Sequence, residues 1–260
     1  MRAIKELGQH FLTDPAIASG IADLGEIIPG ERVWEVGPGP GILSAEILSR
    51  EARLEAFELD RRMVALLQER FGTKIDLILT DILKLNWTRQ IELGSSPLKM
   101  IANIPYQITS PLLYMIQEHH QHFPHVVLMV QKEVALRLSA KPGVKDYGPL
   151  TIKLGLCYDI RTAFMVGRES FAPIPKVDSA VIVMRVRKDS PVIANPESFA
   201  KVLTAAFAHR RKTLRNNLLP LVGRIKLQDL EQISGIDFSR RAETLDETEF
   251  IRLGDLVSAL

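Results

Sequence analysis

An apolar run, Arg32-Val33-Trp34-Glu35-Val36, leads directly into Gly37-Pro38-Gly39-Pro40-Gly41, and a helical pattern opens at about Ile42. Glycine at every second position supports neither strand nor helix, but it admits the left-handed backbone of a tight turn. The stretch therefore reads as strand, turn and helix in immediate succession. In that setting the backbone amides at the helix N-terminus are free to hold an anion, and the chain is directed towards the α/β class.

The rest of the chain agrees. Arg32–Val36, Arg53–Leu59, Ile75–Leu79, Lys99–Asn103 and His125–Val130 are short apolar runs, the mark of strands buried on both faces of a parallel sheet. Between them Ile42–Ser49, Arg61–Phe71, Pro111–Glu118 and Glu133–Ala140 place apolar residues at helical spacing, with Ser110-Pro111 as cap and first-turn proline. Short connections and right-handed crossovers then predict a doubly wound, Rossmann-like, mostly parallel sheet. After Leu150 the period changes. Thr151–Cys157, Thr162–Val166 and Ala180–Arg187 read as strands without room for helices, so an antiparallel pair is expected at the sheet edge. From Lys188 the strand character ends, and Pro191 and Pro196 mark a linker into helical patterns at Glu197–Ala208 and Thr248–Leu260. The expected division is 1–187 for the α/β domain and 188–260 for a small helical domain.

Composition removes several function classes. With 260 residues, 46% of them hydrophobic, the chain can fill an ordinary core. Cys157 is the only cysteine, which excludes an internal disulfide and a cysteine-built metal site and fits a reducing cytoplasm. The first ten residues contain no apolar core of signal-peptide length, and Val126–Val130 is too short to span a bilayer. A cytoplasmic protein with no membrane partner is expected. A net charge of +2 is too small for a global field, so any nucleic-acid affinity has to come from local clusters.

Three strand ends carry the cofactor chemistry. The turn has Gly-x-Gly-x-Gly spacing with Glu35 two residues before Gly37, whereas the dinucleotide fingerprint separates its last two glycines by two residues. This favours S-adenosylmethionine, whose carboxylate needs an amide-lined turn such as Gly37 to Gly39 and whose ammonium needs acceptors. Glu58, 21 residues after Gly37 in Phe57-Glu58-Leu59-Asp60, is placed to chelate ribose hydroxyls. Asp81, in Thr80-Asp81-Ile82-Leu83, offers an acceptor for an adenine amine. Taken singly, these residues read as no more than a turn, solvated strand-end charges and a helix cap. Their joint order selects the cofactor reading.

A second half-site follows in Asn103-Ile104-Pro105-Tyr106, 66 residues beyond Gly37. Pro105 restricts Ile104 to an extended conformation, so the Asn103 side chain and the Ile104 carbonyl can face one point. Two acceptors there suit an amino group on a planar ring, and Tyr106 supplies a face on which a base can stack. Direct displacement at the methyl carbon needs no metal and no strong base. Further on, the proline-spaced segment Phe171-Ala172-Pro173-Ile174-Pro175-Lys176-Val177-Asp178-Ser179 can hold Phe171 against the other face of a flipped or single-stranded purine. A kinked turn with Tyr106 as packing, and a rigid edge connection, are the plainer readings of these two segments.

With these residues in view the chain resembles the ribosomal RNA adenine dimethyltransferases, a family that includes the bacterial enzyme conferring kasugamycin sensitivity, eukaryotic relatives and the erythromycin-resistance methyltransferases. The resemblance covers nearly the whole chain. It extends to Leu7-Gly8-Gln9-His10-Phe11-Leu12, Gln131-Lys132-Glu133-Val134-Ala135 and the Lys141–Gly148 loop. It implies transfer of four methyl groups from S-adenosylmethionine to the N6 amino groups of two adjacent adenosines near the 3′ end of small-subunit rRNA, on free RNA or on an immature small subunit. It further implies that His10, Leu12, Gly37, Glu58, Asp81 and Asn103 contact the cofactor, while Asn103, Tyr106 and Phe171 handle the target adenine. Three departures bear only on cofactor contact: His10 stands where Asn is common, Ser44 where Thr is common, and Thr80 where Gly is common. The resistance enzymes share Asn-Ile-Pro-Tyr but modify large-subunit rRNA; Pro38, the Pro142–Gly148 loop and Val177-Asp178-Ser179 look more like the small-subunit enzyme.

His209-Arg210-Arg211-Lys212-Thr213-Leu214-Arg215 is the densest basic cluster. It can neutralise several phosphates, with Arg137, Lys141 and Lys145 extending it past the catalytic mouth, although a solvated helical face is the ordinary alternative. Residues 188–260 are thus expected to bind the RNA substrate. An oxidoreductase is disfavoured by the glycine spacing, and a non-catalytic ribosome-assembly factor is the remaining rival. A site made within one chain makes a monomer the default.

Overall fold

The computed structural model describes residues 8–94 and 97–259; Leu7 of the Leu7–Leu12 motif and Leu260 of the helical pattern expected over Thr248–Leu260 lie outside them. In chain order the strands are β1 (Phe11–Leu12), β2 (Arg32–Val36), β3 (Arg53–Glu58), β4 (Ile75–Leu79), β5 (Leu98–Asn103), β6 (His125–Gln131), β7 (Tyr158–Val166), β8 (Phe171–Ala172) and β9 (Ser179–Val186). The helices are α1 (Pro15–Leu24), α2 (Ile42–Ser49), α3 (Arg61–Phe71), α4 (Trp87–Glu92), α5 (Thr109–Glu118), α6 (Lys132–Leu138), α7 (Pro149–Cys157), α8 (Pro196–Ala206), α9 (Leu214–Val222), α10 (Arg224–Ser234) and α11 (Glu247–Ala259).

The chain forms two compact units. One runs to Ala135 and resumes with Cys157–Val186; the other joins Leu136–Leu156 to Arg187–Leu260. The break at Val186 and Arg187 lies next to the expected boundary, but Leu136–Leu156 group with the helical part. Within that second unit Gly143 N–H donates to the Glu243 carbonyl at 2.7 Å and Arg187 Nη1 to the Gly155 carbonyl at 3.0 Å, which ties the inserted stretch to the C-terminal residues.

In the first unit a seven-stranded sheet has the order β4-β3-β2-β5-β6-β9-β7. The pairs up to β6 are parallel, and β9 runs antiparallel to both β6 and β7, giving the expected doubly wound, Rossmann-like sheet with an antiparallel edge. From β2 the chain steps outward to β3 and β4, then returns on the other side of β2 as β5. Strand order therefore reverses between β2 and β5, the place where ligands bind at the carboxyl ends of an α/β sheet.

Burial explains the apolar runs. Along β2, Val33 turns to a core shared with Ala18, Ile21, Leu43, Ile47, Leu54 and Ile101, while Trp34 turns to the opposite face and meets Phe57, Trp87 and Phe123 edge-on, with centroids 4.8–5.4 Å away. β4 departs from the expectation of two buried faces. As an edge strand it buries Ile75 and leaves Leu79 45% exposed.

Two local expectations are corrected. Thr151–Cys157 is helix, not strand. The alternation of Leu150, Ile152, Leu154 and Leu156 mimics a strand period, but Thr151 and Cys157 are buried as well, so the segment is a helix enclosed on several sides, and the next strand starts at Tyr158. Ser110 is not the cap of α5. A single turn of 3-10 helix over Tyr106–Ile108 runs straight into it, so the helix begins at Thr109 and Pro111 falls within its first turn.

Candidate active site

The turn between β2 and α2 uses the left-handed region at all three glycines, with φ of +67° at Gly37, +55° at Gly39 and +83° at Gly41. Gly37 N–H donates to the Phe57 carbonyl of β3 at 2.9 Å, pinning the turn over the neighbouring strand. The turn is also hemmed in. A Cβ on Gly37 would stand 3.0 Å from Pro105 Cδ, and one on Gly39 would stand 2.9 Å from Phe11 Cδ1. The glycine turn, the Asn103–Tyr106 segment and β1 therefore pack as one construction.

They enclose a cleft of about 300 Å³ at the carboxyl ends of β2, β3, β4 and β5. Its walls include Gly37 and Gly39 from the turn, Glu58 after β3, Asp81 after β4, and Asn103, Pro105 and Tyr106 after β5, with His10 and Leu12 from the amino-terminal strand. Apolar walls come from Leu59, Ile82 and Leu83, none of which the motif reading had singled out.

Two acidic residues of the wall, Glu58 and Asp81, and the neighbouring Asp60 are locally fixed. Glu58 is 7% exposed; its Oε1 accepts the N–H groups of Leu59 (2.8 Å) and Asp60 (2.9 Å), and its Oε2 accepts Gly39 N–H at 3.3 Å. Burial raises its carboxyl above the usual range, against these amides. Asp81 accepts Leu83 N–H at 3.0 Å, so it caps the local turn as well as facing the cleft. Asp60 caps α3 and takes the Gln9 side-chain amide at 3.0 Å, and its pairing with Arg62 holds its carboxyl well below the usual range.

Glu35 is the group whose environment the sequence did not disclose. It is 1% exposed beneath the turn, and Ser44 Oγ of α2 donates to its Oε2 at 2.6 Å. Desolvation pushes its carboxyl up to about 8. A carboxyl held so close to neutral pH beside a cleft is set to ionise when a cation arrives.

At the β5 end, Ile104 N–H donates to the Met129 carbonyl of β6 at 3.3 Å, and Pro105 has φ −55° and ψ 127°. The Tyr106 hydroxyl and Ser179 Oγ share a 2.7 Å hydrogen bond. The His10 ring lies 5.8 Å from the Tyr106 ring at 28°, and its Nδ1 is 2.7 Å from the Pro173 carbonyl.

Phe171 does not face Tyr106 across the cleft. It is 2% exposed, pairs with Leu12 through β8 and β1, and packs into the core with Ile17 and Phe164, so the two-sided aromatic sandwich is not formed in this structure. The glycine turn and the three strand ends thus converge on one cleft, and the aromatic partner from the proline-spaced segment does not.

The candidate basic residues all belong to the second unit. Lys141, Lys145, Arg211 and Lys212 are exposed, and Arg210 Nη2 donates to the carbonyls of Lys145 and Tyr147, which brings the 141–147 loop to the 209–215 cluster. Arg215 is engaged by Glu231 and Arg137 is part-buried in α6. Among the described residues no helix is long and apolar enough to cross a membrane.

The chain matches the family described as ribosomal RNA adenine dimethylase over residues 1–258. It is 42% identical to ribosomal RNA small subunit methyltransferase A of Syntrophotalea carbinolica, covering 98% of this chain and 97% of that one. It is 39% identical to the protein of the same name from Lactobacillus helveticus, over 100% and 92%. Among solved structures it is similar to a dimethyladenosine transferase from Plasmodium falciparum, with a TM-score of 0.79 at 27% identity over 94% of this chain and 96% of that one.

Proposed function

The chain belongs to the ribosomal RNA adenine dimethylase family, and from that premise we propose that its cleft binds S-adenosylmethionine and dimethylates N6 of two adjacent adenosines near the 3′ end of small-subunit rRNA. The observation that carries this reading is the shared cleft: the glycine turn, Glu58, Asp81 and Asn103, on four successive parallel strands, line one space. A nucleoside with a cationic tail fits that donor and acceptor set. Backbone amides at the turn suit its carboxylate, Glu58 its ribose hydroxyls, Asp81 its exocyclic amine, and the buried Glu35 adds negative charge on ionisation. His10 and Leu12 close the wall on the amino-terminal side.

When bound, the cofactor would supply the methyl group and leave as a neutral thioether, with one proton of the methylated amine released to solvent. The chain's own residues supply geometry. The Asn103 side-chain oxygen and the Ile104 carbonyl accept the two N–H bonds of the adenine amine, which turns the nitrogen lone pair out of conjugation with the ring. Pro105 keeps these acceptors in register, and Tyr106 stacks against the base. Most of the acceleration then comes from alignment and exclusion of water. Phe171 completes a sandwich only if binding withdraws its ring from the core.

The second unit is assigned to the RNA, with Lys141, Lys145, Arg210, Arg211, Lys212 and Arg215 meeting phosphates and Arg137 extending that surface. The protein acts in the cytoplasm as a monomer, late in small-subunit assembly.

The test is separate incubation of methyl-labelled cofactor with small subunits from cells lacking the modification and with large-subunit RNA, followed by rRNA digestion and identification of the labelled nucleoside by mass. Dimethyladenosine near the 3′ end supports the proposal. Label confined to large-subunit RNA moves the chain to the resistance type, and no label in either supports a non-catalytic assembly role.

A further inference from the structure

Ser179 opens β9 and is fully buried. Because β9 is antiparallel to β6, its first residue lies at the carboxyl end of that strand, level with the end of β5: Asn103 stands opposite Met129, Met129 opposite Val181, and Gln131 opposite Ser179. On its other side Ser179 stands opposite Val166 of β7, so its backbone is held by two strands. Tyr106 is placed differently. It begins a three-residue turn, its ring is only part-buried, and such short turns are weakly determined by their own hydrogen bonds. The 2.7 Å bond between the two hydroxyls ties this soft element to a buried residue paired on both sides within the sheet. Burial raises the Tyr106 phenol above its usual range, so the hydroxyl stays protonated and the bond persists across the working pH range.

A stacking platform works only if its plane is fixed before the base arrives, since ordering it afterwards costs affinity and alignment. We propose that Ser179 is a positioning residue that sets the tilt of the Tyr106 ring for the target adenine. The inference rests on the reading of Tyr106 as the base platform. Ser179 does not line the cleft. It acts through the hydroxyl alone, so its loss slows transfer while cofactor binding is unchanged.

The experiment compares the full chain with Ser179→Ala, Tyr106→Phe, the double variant and Tyr106→Ala, measuring kcat and KM on small subunits, cofactor Kd by calorimetry, and Tm. Ser179→Ala and Tyr106→Phe should each slow transfer about fivefold to tenfold, the scale of one such hydrogen bond. Cofactor Kd should not move, and the double variant should be no slower than either single one. Tyr106→Phe probes the same bond without disturbing the buried serine, which covers the case of a Ser179→Ala protein that fails to fold. Full transfer by Ser179→Ala or Tyr106→Phe, additive losses in the double variant, or a cofactor Kd that weakens in step with rate would overturn the proposal. If Tyr106→Ala also transfers methyl groups at full rate, the base-site reading falls with it; if Tyr106→Ala is inactive while Ser179→Ala is normal, only the role of Ser179 falls.

Discussion

Ser44 of α2 reaches under the glycine turn to donate a 2.6 Å hydrogen bond to the buried carboxyl of Glu35. That single donor does not offset burial, and the carboxyl is pushed up to about 8. The folded protein therefore holds a proton that the unfolded chain, titrating near 4.5, has released. The associated stability is fully present below about pH 4.5 and is lost as pH rises towards 8, on the order of a few kcal/mol. Thermal melts without cofactor should show Tm falling over this interval, and Glu35→Gln should flatten the decline. An equally steep fall in the variant would place the titrating group elsewhere.

Glu58 faces the cleft while its oxygens hold the amides of Leu59, Asp60 and Gly39. Replacing it with Gln keeps one acceptor for the local turn but weakens the pair of acceptors offered to vicinal hydroxyls. Calorimetry should find cofactor affinity reduced roughly 10- to 100-fold in Glu58→Gln, the scale of hydrogen bonds to a charged group, with Tm near that of the parent. Undiminished affinity would remove Glu58 from the ribose site.

Asn103→Ala separates binding from chemistry. Cofactor affinity should change little, because the turn, Glu58 and Asp81 remain, while transfer should drop about 100-fold or more through loss of an aligned acceptor at the reacting amine. Single-turnover rates at saturating cofactor report this directly, and an unchanged rate would reassign the acceptor.

Gly37→Ala combines an unfavourable φ of +67° with a new Cβ 3.0 Å from Pro105 Cδ. The added atom forces the turn and the Asn103–Tyr106 segment apart, which should cost about 1–3 kcal/mol of stability and slow transfer in the same protein. A variant with normal Tm and normal rate would show that the two segments are not interlocked.

Arg211 and Lys212 are exposed in the second unit. Neutralising both should weaken RNA binding and lower the slope of log affinity against log salt by about 2. Arg215→Ala should do less, since Glu231 already engages that guanidinium. Identical salt slopes for the parent and the Arg211, Lys212 double variant would remove this cluster from the RNA surface.

Local sequence was enough to place the sheet and the cleft because both depend on short-range rules. The runs at Arg32–Val36 and Leu98–Asn103 are mostly apolar and buried almost end to end because both faces of those central strands are covered. The glycines at 37, 39 and 41 are fixed by φ values that other residues resist. Glu58, Asp81 and Asn103 share a cleft because parallel strands bring successive carboxyl ends to one side. Where a period was shared by two structures the sequence misled. The alternation from Leu150 to Leu156 fits a strand, yet these residues form a helix buried on more than one side.

The sequence by itself thus determined the fold class, the turn and which strand ends meet, since periodicity, glycine φ and parallel connection are local properties. Only the tertiary structure decided how those residues are held. The burial that lifts the Glu35 carboxyl is set by the packing around it, and the pairing of Tyr106 with Ser179 73 residues away and the seating of Phe171 in the core beside Leu12 join segments distant in the chain. Burial and hydrogen-bond partnership across such distances are properties of the packed interior, and no window of sequence contains both members of the pair.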